Sequence, residues 1–153
     1  MEHLDEKWMR MALEEAMLAA EQGEIPVGAV VVRNGELLLK AHNRCEADSN
    51  ATSHAEMLAI TEACQRLESW RLSDCTLYVT LEPCLMCAGA SVNARIGRIV
   101  YAAKDPRAGA CESLWRIASY PLECKPKCEF GLLQEEALEL LQKFFWNLRK
   151  KEE

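Results

Sequence analysis

Residues 76–93 read TLYVTLEPCLMCAGASVN, and this stretch decides the fold because it predicts a strand that leads directly into a helix. Residues 76–81 have the composition of a strand. Pro83 is suited to the first turn of a helix, which we predict to run from about Cys84 to Asn93. Ligand sites in α/β folds gather where strands end and helices begin, so this junction is the first place to look for chemistry.

Helices and strands alternate through the rest of the chain. We predict an amphipathic helix over residues 5–23, a hairpin over 27–41 with Asn34-Gly35 as its turn, a polar loop over 42–52, a helix from His54 to Leu67, a strand over 98–103, a short helix over 113–119, a weak strand near 127–133 and a last helix from Gln134 to Lys151. This order predicts an α/β sandwich in which helices cover a mixed sheet.

The length of 153 residues, half of them hydrophobic, predicts one domain spanning residues 1–153. No window approaches 18 uncharged apolar residues, and the N-terminus lacks the basic start and apolar run of a secretory signal. We therefore expect a cytoplasmic protein without a membrane partner. The eight cysteines do not indicate a disulfide scaffold, because the chain is too long and the expected compartment is reducing.

The net charge of −6 is unevenly distributed along the chain. Residues 1–94 carry a net charge of −8, whereas residues 95–127 carry +4, and the last helix ends in a basic run. This asymmetry permits a local basic surface on an acidic protein, but charge alone favours an ordinary solvated surface of uneven charge, because a basic stripe requires clustering in space.

Three residues have the types and spacing of a catalytic zinc site. Cys84 and Cys87 lie three positions apart, so both sulfurs face one side of the first helical turn. The helix dipole favours the thiolate form that binds metal. With His54 they make a set of one His and two Cys, which leaves the fourth tetrahedral position of Zn²⁺ open for water.

Glu56 follows His54 by two residues, a rotation of roughly 200° along a helix, so it is not expected to be a fourth ligand beside His54. At the start of a helix it can still lean towards the metal-bound water and move protons. The combined pattern, His-x-Glu followed by Pro-Cys-x-x-Cys, is the signature of zinc deaminases.

The chain resembles the bacterial tRNA-specific adenosine deaminases, within the cytidine-deaminase-like superfamily. The motifs that carry the resemblance cover most of residues 8–150 and are PVGAVVV, His42-Asn43, HAEM, LYVTLEPCLMCAGA, ARIGRIVYAAKDPRAGA and FFWNLRK. The resemblance implies a three-layer α/β/α sandwich around a five-stranded mixed sheet. It also implies a homodimer that converts adenosine to inosine at the wobble position of tRNA-Arg, using zinc-activated water and a Glu proton shuttle.

The resemblance also assigns roles to particular residues. His54, Cys84 and Cys87 would hold one Zn²⁺ per subunit, and Glu56 would be catalytic. The remaining assignments concern the RNA: Asn43 would bind the base edge, Ala55, Pro26, Val27 and Gly28 would line the base pocket, Asp105 would contact the ribose, and Phe144, Phe145 and Arg149 would touch the anticodon stem-loop. Taken by themselves, Asn43 and Asp105 are also ordinary turn residues, and Phe145 joins Leu138, Leu141 and Leu148 in a helical stripe typical of a core.

Two other classes of protein stay open at this point. One is a zinc deaminase of a free base or small heterocycle such as guanine, cytosine or a pterin, favoured by the acidic charge and by departures from the family pattern at "ATS", Ala102 and "LECKPKC". The other is a zinc-stabilised binding module, for which a closed four-ligand site would be expected. Cys124 and Cys128 are either a second metal or redox pair or unremarkable thiols; their spacing lacks the companion pair of a zinc site.

Overall fold

The computed structural model describes residues 2–152 and contains five helices and five strands. In chain order they are α1 (Glu2–Glu21), β1 (Gly28–Arg33), β2 (Glu36–His42), α2 (Cys45–Asp48), α3 (Ala55–Leu67), β3 (Cys75–Leu81), α4 (Leu85–Asn93), β4 (Arg98–Ala103), β5 (Lys127–Phe130) and α5 (Gln134–Glu152). No helix in this part of the chain has both the length and the apolar character needed to cross a membrane.

The sheet has the order β2-β1-β3-β4-β5 and is mixed, as expected. Strand β1 is antiparallel to β2 and to β3, whereas β3, β4 and β5 are parallel to one another. The hairpin turns at Asn34 and Gly35, which both have positive φ. That pair of left-handed residues matches the twist of the two strands and fixes their register.

Helices cover both faces of the sheet, which confirms the predicted three-layer α/β/α sandwich. On one face, α1 and α5 pack over Val30, Tyr78 and Val100. On the other face, α3 packs over Val31, Leu77 and Ile99. The alternation of side chains along each strand supplies both hydrophobic layers.

Gly28 shows how closely α1 approaches the sheet. A Cβ atom on Gly28 would overlap the carbonyl oxygen of Ala12 and the amide nitrogen of Ala16. The absence of a side chain at this position therefore lets the helix backbone lie directly against the first strand.

Two details of the predicted architecture are wrong. Residues 113–119 do not form a short helix; only a single 3₁₀ turn occurs there, over Ile117–Ser119, because the backbone of 111–113 is bound to a buried carboxylate instead. The polar loop over 42–52 contains a helix, α2, whose first N–H groups are bound by the side chain of Glu24, a partner distant in sequence.

Candidate metal centre

The three predicted zinc ligands come together at the N-terminal ends of two helices. His54 precedes the first residue of α3, and Cys84 precedes the first residue of α4. Their ligand atoms and that of Cys87 all lie within 4.8 Å of one another. Among residues 2–152, this is the one cluster of three or more such side chains that could hold a metal ion.

The distances within this cluster fit a zinc ion. The Nδ1 atom of His54 lies 3.6 Å from the sulfur of Cys84 and 3.5 Å from the sulfur of Cys87. With the usual Zn–S and Zn–N bond lengths, tetrahedral geometry places a sulfur ligand and a nitrogen ligand about 3.6 Å apart. The protein therefore presents three donors at the spacing that one Zn²⁺ requires.

The side chains of Cys84 and Cys87 have pKa values shifted in opposite directions. A hydrogen bond from Cys87 is the largest cause that lowers the pKa of Cys84, to about 4. The same hydrogen bond, together with burial, raises the pKa of the Cys87 thiol. One thiolate is thus present at neutral pH before metal binding, and a cation at this position would favour loss of the second proton.

Glu56 is buried beside this cluster, with 4% of its surface exposed. Burial raises the pKa of its carboxyl to about 7, partly opposed by its backbone hydrogen bond and by the nearby His54. A carboxyl with a pKa near neutrality can both accept and donate a proton at the pH of a cell. Such a perturbed acid next to a metal cluster is typical of a catalytic centre.

The side-chain amide of Asn43 forms hydrogen bonds beside the centre through both its oxygen and its nitrogen. Its Oδ1 accepts a hydrogen bond of 2.8 Å from the backbone N–H of Ala55, and its Nδ2 donates one of 3.1 Å to the carbonyl of Ile25. The first contact fixes the start of α3 immediately after His54. One N–H of the amide is not used in these contacts.

Pro26, Val27 and Gly28 are buried where β1 begins. Val27 packs into the core on the α3 side of the sheet, and its carbonyl accepts the backbone N–H of Asn43. The N–H of Gly28 donates to the hydroxyl of Thr80. These residues fix the strand beside the centre.

Glu82 was not anticipated from the sequence, yet it organises one side of the centre. Its buried carboxylate accepts backbone N–H bonds from Asp105, Cys111, Glu112 and Ser113, at 2.8–3.1 Å, and a hydroxyl bond from Ser113. In the sequence, Glu82 is only an acidic residue between a predicted strand and Pro83-Cys84. That position does not indicate which groups its side chain binds.

The consequence of these bonds is that the loop after β4 is attached next to the metal ligands. Burial raises the pKa of Glu82, but the N–H of Glu112 and the contacts of Ser113 and Asp105 outweigh it, so the net shift is downward and the side chain is ionised. A Cβ on Gly109 would overlap the Glu82 carboxyl, and Ala110 donates its N–H to the carbonyl of Pro83.

Asp105 lies at the start of this loop. Its Oδ1 accepts the backbone N–H groups of Arg107 and Ala108, so its carboxylate shapes a turn. Asp105 also borders an open groove of about 770 Å³ between the loop and α5.

Phe145, Leu148 and Arg149 form the α5 wall of this groove, and Ile25 lies on the opposite side. Phe145 and Leu148 are 39% and 45% exposed, so the interpretation of the stripe as core is wrong for these two residues, which lie in the solvent-exposed second half of α5. Leu138, in the first half of the helix, packs against the core as expected. Phe144, which is half-buried, contacts Phe145 edge to face and does not line the groove.

Comparison with known proteins agrees with this geometry. The family model of MafB19-like deaminases matches residues 3–149. The tRNA-specific adenosine deaminase of Bacillus subtilis is 46% identical over 148 residues, covering 96% of this chain and 92% of its own. The protein of the same name from Aquifex aeolicus is 48% identical over 145 residues, covering 94% and 95%.

A solved structure from work on A-to-I editing by tRNA:A34 deaminases superimposes with a TM-score of 0.86 at 43% identity, covering 88% of this chain and 99% of that one. The resemblance stated from the motifs is therefore confirmed, and the chain belongs to the family of tRNA-specific adenosine deaminases, within the MafB19-like deaminases.

Proposed function

We propose that this protein is a zinc-dependent hydrolase that deaminates adenosine to inosine at wobble position 34 of tRNA-Arg. The observation that carries the proposal is the convergence of His54, Cys84 and Cys87 on one point, with the buried carboxyl of Glu56 beside it. The printed names of the relatives support the tRNA substrate.

His54, Cys84 and Cys87 would hold the Zn²⁺. Two thiolates and a neutral imidazole would balance its charge, and a set of three protein donors would leave room for a water molecule. When bound, zinc would activate a water molecule for attack on C6 of the adenine ring.

Glu56 would move the protons of the reaction. Its pKa of about 7 allows it to take a proton from the attacking water and return protons to the base, so that ammonia can leave. The unused N–H of Asn43 is available to an acceptor on the base edge, while its oxygen holds the N–H of Ala55. Ala55 and the strand start at Pro26 to Gly28 would then bound the base pocket.

The groove beside Asp105 would receive the anticodon stem-loop. It combines the exposed apolar surface of Phe145 and Leu148 with the cations Lys104, Arg107 and Arg149. Aromatic faces and cations are the usual partners of unstacked bases and phosphates. Phe144 would act from behind Phe145, through the edge contact between the two rings.

The further parts of the proposal concern assembly and location. We propose a single domain over residues 1–153 that works as a homodimer in the cytoplasm, where its tRNA substrate is found. An apolar surface around α4 supports the homodimer.

The experiment is an assay of zinc-loaded protein with two kinds of substrate. One arm offers an arginine anticodon stem-loop and follows inosine; the other offers guanine, cytosine and pterins and follows ammonia. Inosine in the RNA, with affinity that falls steeply as salt rises, is the expected result. If a free compound releases ammonia while the RNA is unchanged, the substrate is that compound and not tRNA, whereas the assignment of the metal centre stands.

Glu56→Ala tests the shuttle in the same assay. We expect kcat to fall by about 10³-fold, because general acid–base catalysis typically contributes 10²–10⁴-fold, while one zinc per chain is retained. Glu62→Ala, on a more exposed part of the same helix, is the matched control and should keep its rate. If kcat of Glu56→Ala is unchanged, Glu56 is not the group that moves the protons.

A further inference from the structure

Cys128, which the sequence pairs with Cys124 in the CKPKC segment, has a different neighbour in the fold. Its sulfur lies 3.5 Å from the sulfur of Cys111, whereas Cys124 is exposed. Cys111 belongs to the loop that Glu82 binds, and Cys128 belongs to β5 at the edge of the sheet. The two thiols thus join parts of the chain that are 17 residues apart.

We propose that Cys111 and Cys128 form a redox modification site, a dithiol that closes to a disulfide when a peroxide oxidises it.

Three features of the pair favour this reaction. The sulfurs are already in contact, so the bond forms by a shift of about 1.5 Å, given the usual S–S bond length near 2.05 Å. Cys128 is half-buried and can meet a small oxidant, whereas Cys111 is buried and has its sulfur beside that of Cys128. No third ligand side chain in residues 2–152 joins them, so the pair is not a second metal cluster.

The opposite pKa shifts of the two thiols indicate which of them reacts first with the peroxide. The hydrogen bond between the two sulfurs lowers the pKa of Cys128 and raises that of Cys111, so Cys128 carries the thiolate character. Cys128 sulfur attacks one oxygen of hydrogen peroxide, which gives a sulfenic acid and releases one water. Cys111 sulfur then attacks the Cys128 sulfur, and the sulfenic oxygen leaves as a second water. Two thiols and one peroxide thus become one disulfide and two waters.

The disulfide would attach the loop after β4 to the last strand. That loop begins at Asp105 and is already bound to Glu82, so the new bond adds a covalent tie at its far end. Closing a loop of this length restricts the unfolded chain, and the oxidised protein should unfold at a temperature about 5 °C higher or more.

Trypsin separates the three relevant thiols, which makes the test direct. Cleavage after Arg107, Arg116, Lys127 and Lys143 places Cys111, Cys124 and Cys128 on the separate peptides 108–116, 117–127 and 128–143. Zinc-loaded protein would be treated with a small excess of hydrogen peroxide, alkylated, digested without reductant and analysed by mass spectrometry. We expect one dominant cross-link between peptides 108–116 and 128–143, which dithiothreitol reverses.

Matched variants decide between the possible outcomes. Cys124→Ser should keep the cross-link and its rise in unfolding temperature, whereas Cys111→Ala should lose both. A Cys124–Cys128 cross-link, alkylatable thiols at both positions after peroxide, or Cys128 oxidised beyond the sulfenic stage without a link would each overturn the proposal. If Cys111→Ala does not fold, the identity of the cross-linked peptides in the wild type decides whether the proposal holds.

Discussion

At the scale of single residues, the centre depends on groups that act through hydrogen bonds as much as on the ligands. Glu82 is the clearest case, because one buried carboxylate accepts four backbone N–H bonds and a hydroxyl from the loop over 105–113. The cluster of candidate ligands was predictable because a zinc site requires particular residue types at particular spacings. The role of Glu82 was not, since its partners follow it by more than twenty residues and are backbone groups that any sequence supplies.

Replacing Glu82 with Gln tests this role. The amide would turn one NH₂ group towards N–H donors of the loop, leaving buried donors unsatisfied, and we expect a loss of about 2–3 kcal/mol of unfolding free energy. Urea unfolding measures the loss, and amide hydrogen exchange should show faster exchange at 105–113. Glu123→Gln makes the same chemical change on an exposed residue and should alter neither. An unchanged exchange pattern in Glu82→Gln would mean that the loop is held by other contacts.

At the scale of elements, period and turn chemistry predicted every strand and four of the five helices. The predictions failed where a distant side chain decides the local structure: Glu24 binds the N–H groups that begin α2, and Glu82 binds residues that would otherwise continue into a helix at 113–119. The interpretation of the α5 stripe as core was wrong at Phe145 and Leu148 for another reason. Periodicity shows which residues share a face, but not whether the sheet extends far enough to cover that face.

Arg98 in β4 connects elements that are far apart in sequence. Its guanidinium donates to Asp5 of α1 and to Glu129 of β5. The hydrogen bond from Arg98 is the largest cause that lowers the pKa of each carboxyl. A carboxyl with a lowered pKa stabilises the fold above its ordinary pKa, and this contribution is lost as the pH falls through the lowered value.

We expect Arg98→Met to reduce stability at pH 7 by about 1–2 kcal/mol, because two partly exposed carboxylates lose a charged donor. The difference from wild type should shrink as the pH falls from about 4 downwards, where the carboxyls of the variant become protonated first. Thermal unfolding across this range measures it. Arg10→Met, which breaks an exposed pair with Glu6, should show little effect. A difference independent of pH would mean that Arg98 acts by packing alone.

At the scale of the whole molecule, an apolar surface lies on the side of α4 that faces away from the sheet. Leu85, Trp115, Tyr120 and Leu122 are 39–53% exposed and, with Met57 and Met86, line a groove of about 670 Å³. The residues that line it include no charged side chain. Large apolar patches without charge are typical of protein interfaces, and the groove borders α4, whose first residue directly follows Cys84. This surface supports the proposed homodimer, because a second copy would cover the patch and lie close to the centre.

Leu122→Glu tests that assembly. A charge placed in an apolar interface is buried without a partner, so the variant should dissociate, whereas the wild type should have twice the mass of one chain by light scattering. Leu37→Glu changes an apolar residue of similar exposure on the hairpin, outside this surface, and should leave the mass at that of the wild type. A wild type that remains a single chain at micromolar concentration would contradict the homodimer. If Leu122→Glu dissociates while retaining zinc and losing activity on the stem-loop, each subunit depends on its partner for activity on RNA.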